Sequence, residues 1–305
     1  MDRILITTAS FGVDDSSALA CLRDEGYDVV LNPHGRKLTE EEVRGLLLEV
    51  GPVGIVAGLE PLTAKVLQGA GRLRVISRCG VGMDNVDLGT ARRGGITVLC
   101  TPDGPVQAVA ELTVGLMLAG LRHIARVDRS IRAGKWERPM GRLLGEQTVG
   151  VVGCGRIGSA VARLLASFGS RLIGSDPSLQ EHPDITLTPL DGLLRESDVV
   201  TLHVPYDENT HHMINDQSIG KMKPTALLVN TARAGIIDEQ ALLETIQSGR
   251  LAGACIDTFS EEPYSGPLAG LPQVVLTSHI GSYAREARVK MESQAVQNLL
   301  AALKE

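Results

Sequence analysis

The chain has 305 residues, 43% of them hydrophobic and only 3% aromatic, and a formal net charge of −6. That length and apolar content suffice for two domains, with cores built mainly from Leu, Val, Ile and Ala. The acidic balance argues against nucleic acid or an anionic membrane as partner, but not against a small anionic substrate, which responds to local charge.

From the N-terminus, short β-rich runs alternate with helical patterns. Strands are predicted at 3–7, 28–32, 54–58, 74–78 and 96–100, with helix-like segments such as DSSALACLRDEG and TAKVLQGAG between them. Such alternation builds a parallel sheet with crossover helices. The opening MDRILITTAS lacks the layout of a secretory signal. The loop TPDGP (101–105) interrupts the series. Next, VQAVAELTVGLMLAGLRHIARVDRSIRAG reads as one long helix, a connector and candidate subunit contact. A second alternating series predicts strands at 147–153, 171–176, 198–204, 226–231, 253–258 and 274–280, then a last helix over EARVKMESQAVQNLLAALKE. No apolar run reaches the roughly 18 residues of a membrane span.

The five cysteines are scattered and form no C-x-x-C pair, which fits reduced thiols packed as small hydrophobes in a cytoplasmic protein. No metal site is expected, because His211 and His212 have no third ligand at suitable spacing and read as a polar helix start. Trp136, the single tryptophan, reads as a helix anchor.

The first strand of the second series runs into Gly153-x-Gly155-x-x-Gly158, and the next strand ends at Asp176. The glycine spacing is weak by itself, but here it follows a strand and opens an amphipathic helix. Gly153 permits a tight turn, Gly155 lets backbone approach a pyrophosphate, and Gly158 lets helix and strand pack closely. Amides at the helix start, near Arg156 and Ile157, would meet phosphates. Asp176 would accept hydrogen bonds from ribose hydroxyls and repel a 2′-phosphate, which favours NAD over NADP. A glycine-rich turn without ligand and a methyltransferase cofactor site are the alternatives.

In a parallel sheet the strand C-termini share one edge, where ligands bind. That edge collects His203, Val204 and Pro205, then Thr231, Ala232 and Arg233, then Asp257 with Glu262, and last His279. An Arg, a Glu and a His beside a nicotinamide suit hydride transfer at an alcohol carbon. His279 would exchange the hydroxyl proton, Glu262 would fix the imidazole tautomer, and Arg233 would hold a carboxylate and polarise the carbonyl oxygen. Taken singly, each has a plainer reading: a packed histidine, a solvated loop glutamate, an exposed arginine.

Four signatures now stand in order: SRCGVGMDNVDL (77–88), VVGCGRIGSAVA (151–162), VNTARAGIIDEQAL (229–242), and CIDTFSEEP (255–263) with SHIGSYAREA (278–287). With them the chain resembles the D-isomer-specific 2-hydroxyacid dehydrogenases, most closely the phosphoglycerate branch. The resemblance implies an α/β fold of two doubly wound parallel-sheet domains, a flavodoxin-like substrate domain and a Rossmann NAD-binding domain, with a cleft between them. It divides the chain into 1–98 with 284–305, and 99–283. It implies Arg233, Glu262 and His279 as the catalytic set, with Asp257 on the nicotinamide carboxamide and Thr210 and Gly281 also lining the cofactor. Backbone near Val81 and Gly82, with Arg78, would bind the substrate. It also implies a homodimer through the 105–135 region. Where phosphoglycerate enzymes of the family hold an arginine for phosphate, this chain has Ala57. 3-Phosphoglycerate leads as the expected substrate, with glycerate/hydroxypyruvate as runner-up and an NAD-sensing binding protein as the different class.

Overall fold

The computed structural model describes residues 1–304, in two compact units: Met1–Pro105 with Ser282–Glu305, and Val106–Gly281. In the first unit, strands β1 (Arg3–Ile6), β2 (Asp28–Leu31), β3 (Gly54–Ala57), β4 (Val75–Arg78) and β5 (Thr97–Cys100) are all parallel, in the order β2-β1-β3-β4-β5. Every residue of β3 and β4 is buried, as a sheet covered on both faces requires. Helices α1 (Ser17–Asp24), α2 (Glu40–Val50), α3 (Ala64–Gln68) and α4 (Leu88–Arg93) supply crossovers. Local sequence sets their ends. α2 begins with a reciprocal capping box between Thr39 and Glu42 and stops at Gly51 in the left-handed conformation. A cap of this kind is worth about 1 kcal/mol.

The second unit opens with α5 (Val106–Leu121) and α6 (Ile124–Arg132). The single helix expected here is therefore two, bent by 62°. His123 breaks it by taking a left-handed backbone, φ 56°. The break falls where the apolar stripe ends. α5 buries Ala108, Val109, Ala110, Val114 and Met117, whereas Ser130 is the buried residue of α6. Among the described residues no single helix is long and apolar enough to cross a membrane. Trp136, expected to anchor a helix, is 80% exposed.

The chain continues through β6 (Thr148–Val152), α7 (Arg156–Ala166), β7 (Arg171–Ser175), β8 (Thr186–Leu187), α8 (Leu190–Glu196), β9 (Val199–Leu202) and α9 (Asp216–Ile219). It then forms β10 (Leu227–Asn230), α10 (Glu239–Gln247), β11 (Gly253–Ile256) and β12 (Val274–Leu276). These strands form one parallel sheet, β12-β11-β10-β9-β6-β7-β8, and the strand order reverses between β6 and β9. α5 lies close on β10 and β11 through Gly120, where a Cβ would stand 2.8 Å from Leu227 Cδ2. β8, only two residues, has no periodic signal and was not expected. His211 and His212 lie in a turn before α9, not at its start, with their rings stacked 3.9 Å apart.

The last helix, α11 (Arg285–Lys304), packs in the first unit against α1 and strands β3 to β5. It buries Met291, Val296 and Leu299, and a fully buried side chain of this size contributes about 1.5–3 kcal/mol. Polar bonds fix its register: Ser77 Oγ donates to Ala295 O (2.7 Å) and Asn298 Nδ2 to Cys100 O (2.9 Å). β5 pairs with β4 along its whole length, so the first unit runs past the expected boundary at 98 to Pro105.

Candidate active site

Loops at the C-terminal edge of the second sheet gather most of the expected residues. After β6 the chain turns at Gly153, φ 87°. A Cβ there would lie 2.8 Å from His203 O, so β6 and β9 can approach at the reversal point only with glycine. Gly158 is tighter still: its Cβ would stand 2.0 Å from Gly153 O. Gly155, by contrast, faces open space as the N-cap of α7, with the helix amides beginning at Arg156 and Ile157.

Asp176, just past β7, faces the same turn. Its Oδ2 accepts from the Cys154 amide (2.9 Å), and its Oδ1 from the amide and hydroxyl of Ser178 (2.9 and 2.6 Å). Burial pushes this carboxyl up, but the hydrogen bonds outweigh that and hold it below the usual carboxylate range. The sequence marks Asp176 as a ribose acceptor; that it also braces the glycine turn has no spacing signature. Open space at Gly155, amides at a helix start and an anionic acceptor beside them suit an adenosine dinucleotide.

Further along the edge, His279 Nδ1 lies 2.9 Å from Glu262 Oε1, with side chains 24% and 20% exposed. A carboxylate accepts, so Nδ1 donates, and the neutral ring keeps its lone pair on Nε2. His279 has φ 55°, a left-handed backbone that costs roughly 1–2 kcal/mol without glycine. This is why the strand expected to run to 280 stops at Leu276. Asp257, fully buried at the end of β11, holds the turn. Its Oδ1 accepts from Thr277 Oγ1 (2.6 Å) and the Ile280 amide (2.9 Å), and its Oδ2 from the Gly281 amide (2.9 Å). Asp257, expected on the nicotinamide, also braces the segment that carries His279.

Arg233 is half-buried, on an extended backbone (φ −142°) before a 3-10 turn at Ala234–Ile236. Buried Asn230 shapes this bend, donating to Arg233 O (2.9 Å) and accepting from the Ala232 amide (3.0 Å). Arg233 Nη1 donates to Ala232 O (2.8 Å). Thr231 turns away from the edge: it is buried, with its hydroxyl 2.9 Å from that of Thr113 in α5, so only its backbone remains for a ligand. The His203 ring bonds Thr201 Oγ1 (3.0 Å), and desolvation pushes it down to about 3, so it is neutral. Val204 packs on Gly153, and Thr210 Oγ1 donates to Pro205 O (2.7 Å), closing the loop after β9.

The substrate-side residues lie in the first unit. Arg78 is buried, donating through Nε to Asn85 Oδ1 (3.4 Å) and through Nη1 to Cys79 O. The Cys79 and Gly80 amides donate to Ala57 O and Thr101 Oγ1. Those of Val81 and Gly82 have no such partner among the described residues. Ala57 is fully buried in β3, and close by stands a residue the sequence reading passed over, Glu60. Its buried carboxyl accepts from the Gly58 amide (3.0 Å) and the Thr7 hydroxyl. Burial pushes it up, while the Thr7 hydrogen bond and the Arg78 charge pull the other way.

A family model described as D-isomer specific 2-hydroxyacid dehydrogenase, NAD binding domain, matches residues 114–281. A hydroxypyruvate reductase of Thermotoga maritima is 38% identical over 289 residues, covering 91% of this chain and 94% of that protein. A D-3-phosphoglycerate dehydrogenase of Synechocystis is 37% identical over 269 residues, covering 86% of this chain but 48% of that protein. The solved D-lactate dehydrogenase of Aquifex aeolicus, complexed with NAD and lactic acid, superposes with a TM-score of 0.84 at 29% identity, covering 99% of this chain and 95% of that one.

Proposed function

The chain belongs to the D-isomer-specific 2-hydroxyacid dehydrogenases, NAD-dependent enzymes, and on that premise we propose that it interconverts hydroxypyruvate and D-glycerate. The observation that carries the chemistry is the 2.9 Å contact between His279 and Glu262, with Arg233 on the same sheet edge. Bound NAD supplies the hydride acceptor or donor for substrate C2. His279 Nε2 takes the hydroxyl proton during oxidation and returns it during reduction, while Glu262 stabilises the imidazolium that forms between. Arg233 holds the carboxylate and the C2 oxygen. The loop Gly153–Gly158 and Asp176 hold the dinucleotide, and Asp176 disfavours a 2′-phosphate.

The choice of an unphosphorylated acid over 3-phosphoglycerate rests on Ala57 and the burial of Arg78. Phosphate recognition calls for unopposed cations. Here the position of the family's phosphate arginine is the buried Ala57, and the remaining cation, Arg78, is itself buried, donating to Asn85 Oδ1 and Cys79 O. The test is NADH oxidation with a panel of 2-keto acids. Turnover of hydroxypyruvate well above 3-phosphohydroxypyruvate is expected, and the reverse order overturns the substrate assignment. His279→Ala should lower kcat by about 10²–10⁴-fold while NADH still binds. Tight NADH binding with no turnover of any acid would favour the binding-protein reading.

The reading extends to a homodimer through the 105–135 region, supported by the exposed Ile124, Ile131 and Trp136 on and after α6. It also extends to a cytoplasmic location, supported by five cysteines that form no disulfide.

A further inference from the structure

Glu262 and Arg233 sit on different segments, and something must set their spacing. Glu262 lies on a short loop that closes on itself: the rings of Phe259 and Tyr264 stack at 4.2 Å, and the Phe259 amide donates to Glu262 Oε1 (3.3 Å). Arg233 precedes the 3-10 turn that leads into α10, whose first residue is Glu239. Across the gap, Tyr264 OH donates to Glu239 Oε1 (2.7 Å) and accepts from the Leu268 amide (3.2 Å). Burial and the Glu239 bond push the Tyr264 hydroxyl up to about 12, so it is a donor at any working pH. The chain folds closely over this phenol: a Cβ on Gly266 would lie 2.4 Å from the Tyr264 oxygen. The two segments also pack in one apolar cluster, where Ile236, Ile237, Leu242, Phe259 and Leu268 are buried with Tyr264 against them, beside a small cavity. Ala234, Ile237, Glu239, Thr258 and Leu268 line it, and the Thr258 hydroxyl is buried there without a partner. A directional hydrogen bond adds positional information that apolar packing lacks.

We infer that Tyr264 and Glu239 form a positioning clasp that holds the Glu262–His279 pair in register with Arg233. The inference rests on the proposed dehydrogenase chemistry, but neither residue touches the reacting atoms. The test is steady-state kinetics of Tyr264→Phe, Glu239→Ala, Glu239→Gln and the double variant Tyr264→Phe/Glu239→Ala, alongside NADH binding by fluorescence and thermal midpoints. Tyr264→Phe keeps the ring stack and loses only the hydroxyl. Its kcat should fall by about tenfold to a hundredfold, as expected for slight misplacement of catalytic groups, with an altered pH profile of kcat and unchanged NADH affinity. Glu239→Gln keeps an acceptor and should restore most of the activity that Glu239→Ala loses. The double variant should be no worse than either single removal. Wild-type kcat in Tyr264→Phe, or fully additive losses in the double variant, overturns the clasp. So does a loss that appears equally in NADH affinity and thermal midpoint. If instead wild type turns over no 2-keto acid, the dehydrogenase reading fails, and the binding and thermal data report that separately.

Discussion

Asp257 and His203 are the two edge residues to whose surroundings the structure adds most. Asp257 pins the left-handed turn of His279 with three hydrogen bonds. Asp257→Asn keeps the shape but replaces one acceptor oxygen with a donor that faces an amide or hydroxyl. We expect kcat to fall at least as steeply as NADH affinity; a variant that loses NADH affinity alone would show that Asp257 serves the nicotinamide rather than the His279 turn. His203 was expected to contact cofactor, and its ring is neutral. Its folded value, about 3, lies below the roughly 6.5 of an unfolded histidine. Between those values the unfolded chain binds the extra proton, so this group's contribution is full above about pH 6.5 and is lost as pH falls toward about 3. Denaturant titrations should show a shallower decline of stability over that window in His203→Gln than in wild type. Parallel slopes would count against the neutral ring.

At the scale of elements, the turn from β6 into α7 depends on glycine for two distinct reasons. Gly153 needs a positive φ, and Gly158 needs the absence of a Cβ beside Gly153 O. Gly158→Ala therefore forces strand and helix apart, and overpacking against backbone costs about 1–3 kcal/mol. The expected result is a lower thermal midpoint together with weakened NADH binding; an unperturbed midpoint would show that α7 shifts freely. Gly155→Ala meets no protein atom within 4 Å, so it should leave stability nearly unchanged and weaken dinucleotide binding alone. This motif was legible because each glycine answers a local backbone demand. The break at His123 was not: the helical period runs through it, and only the extent of surface available to α5 decides where the helix stops.

For the molecule as a whole, the exposed apolar residues after α5 make a prediction about assembly. Sedimentation should give a dimer for wild type, and Ile131→Glu with Trp136→Ala should shift it toward monomer; a wild-type monomer would refute the assigned surface. The sequence by itself determined the doubly wound architecture, the glycine turn and the NAD-dependent family, and it singled out Arg233, Glu262 and His279 as candidates. Those follow from period, spacing, strand ends and short motifs that resemble a known family, which are properties of a few consecutive residues. Only the tertiary structure decided which oxygen meets which donor. It put Asp257 under His279, Asp176 on the Cys154 amide, Thr231 on Thr113, Tyr264 on Glu239, and Glu60 on the Thr7 hydroxyl. In most of these pairs the partners lie on separate elements. No pattern along the chain encodes a hydrogen bond that exists only once two strands or loops have been brought side by side.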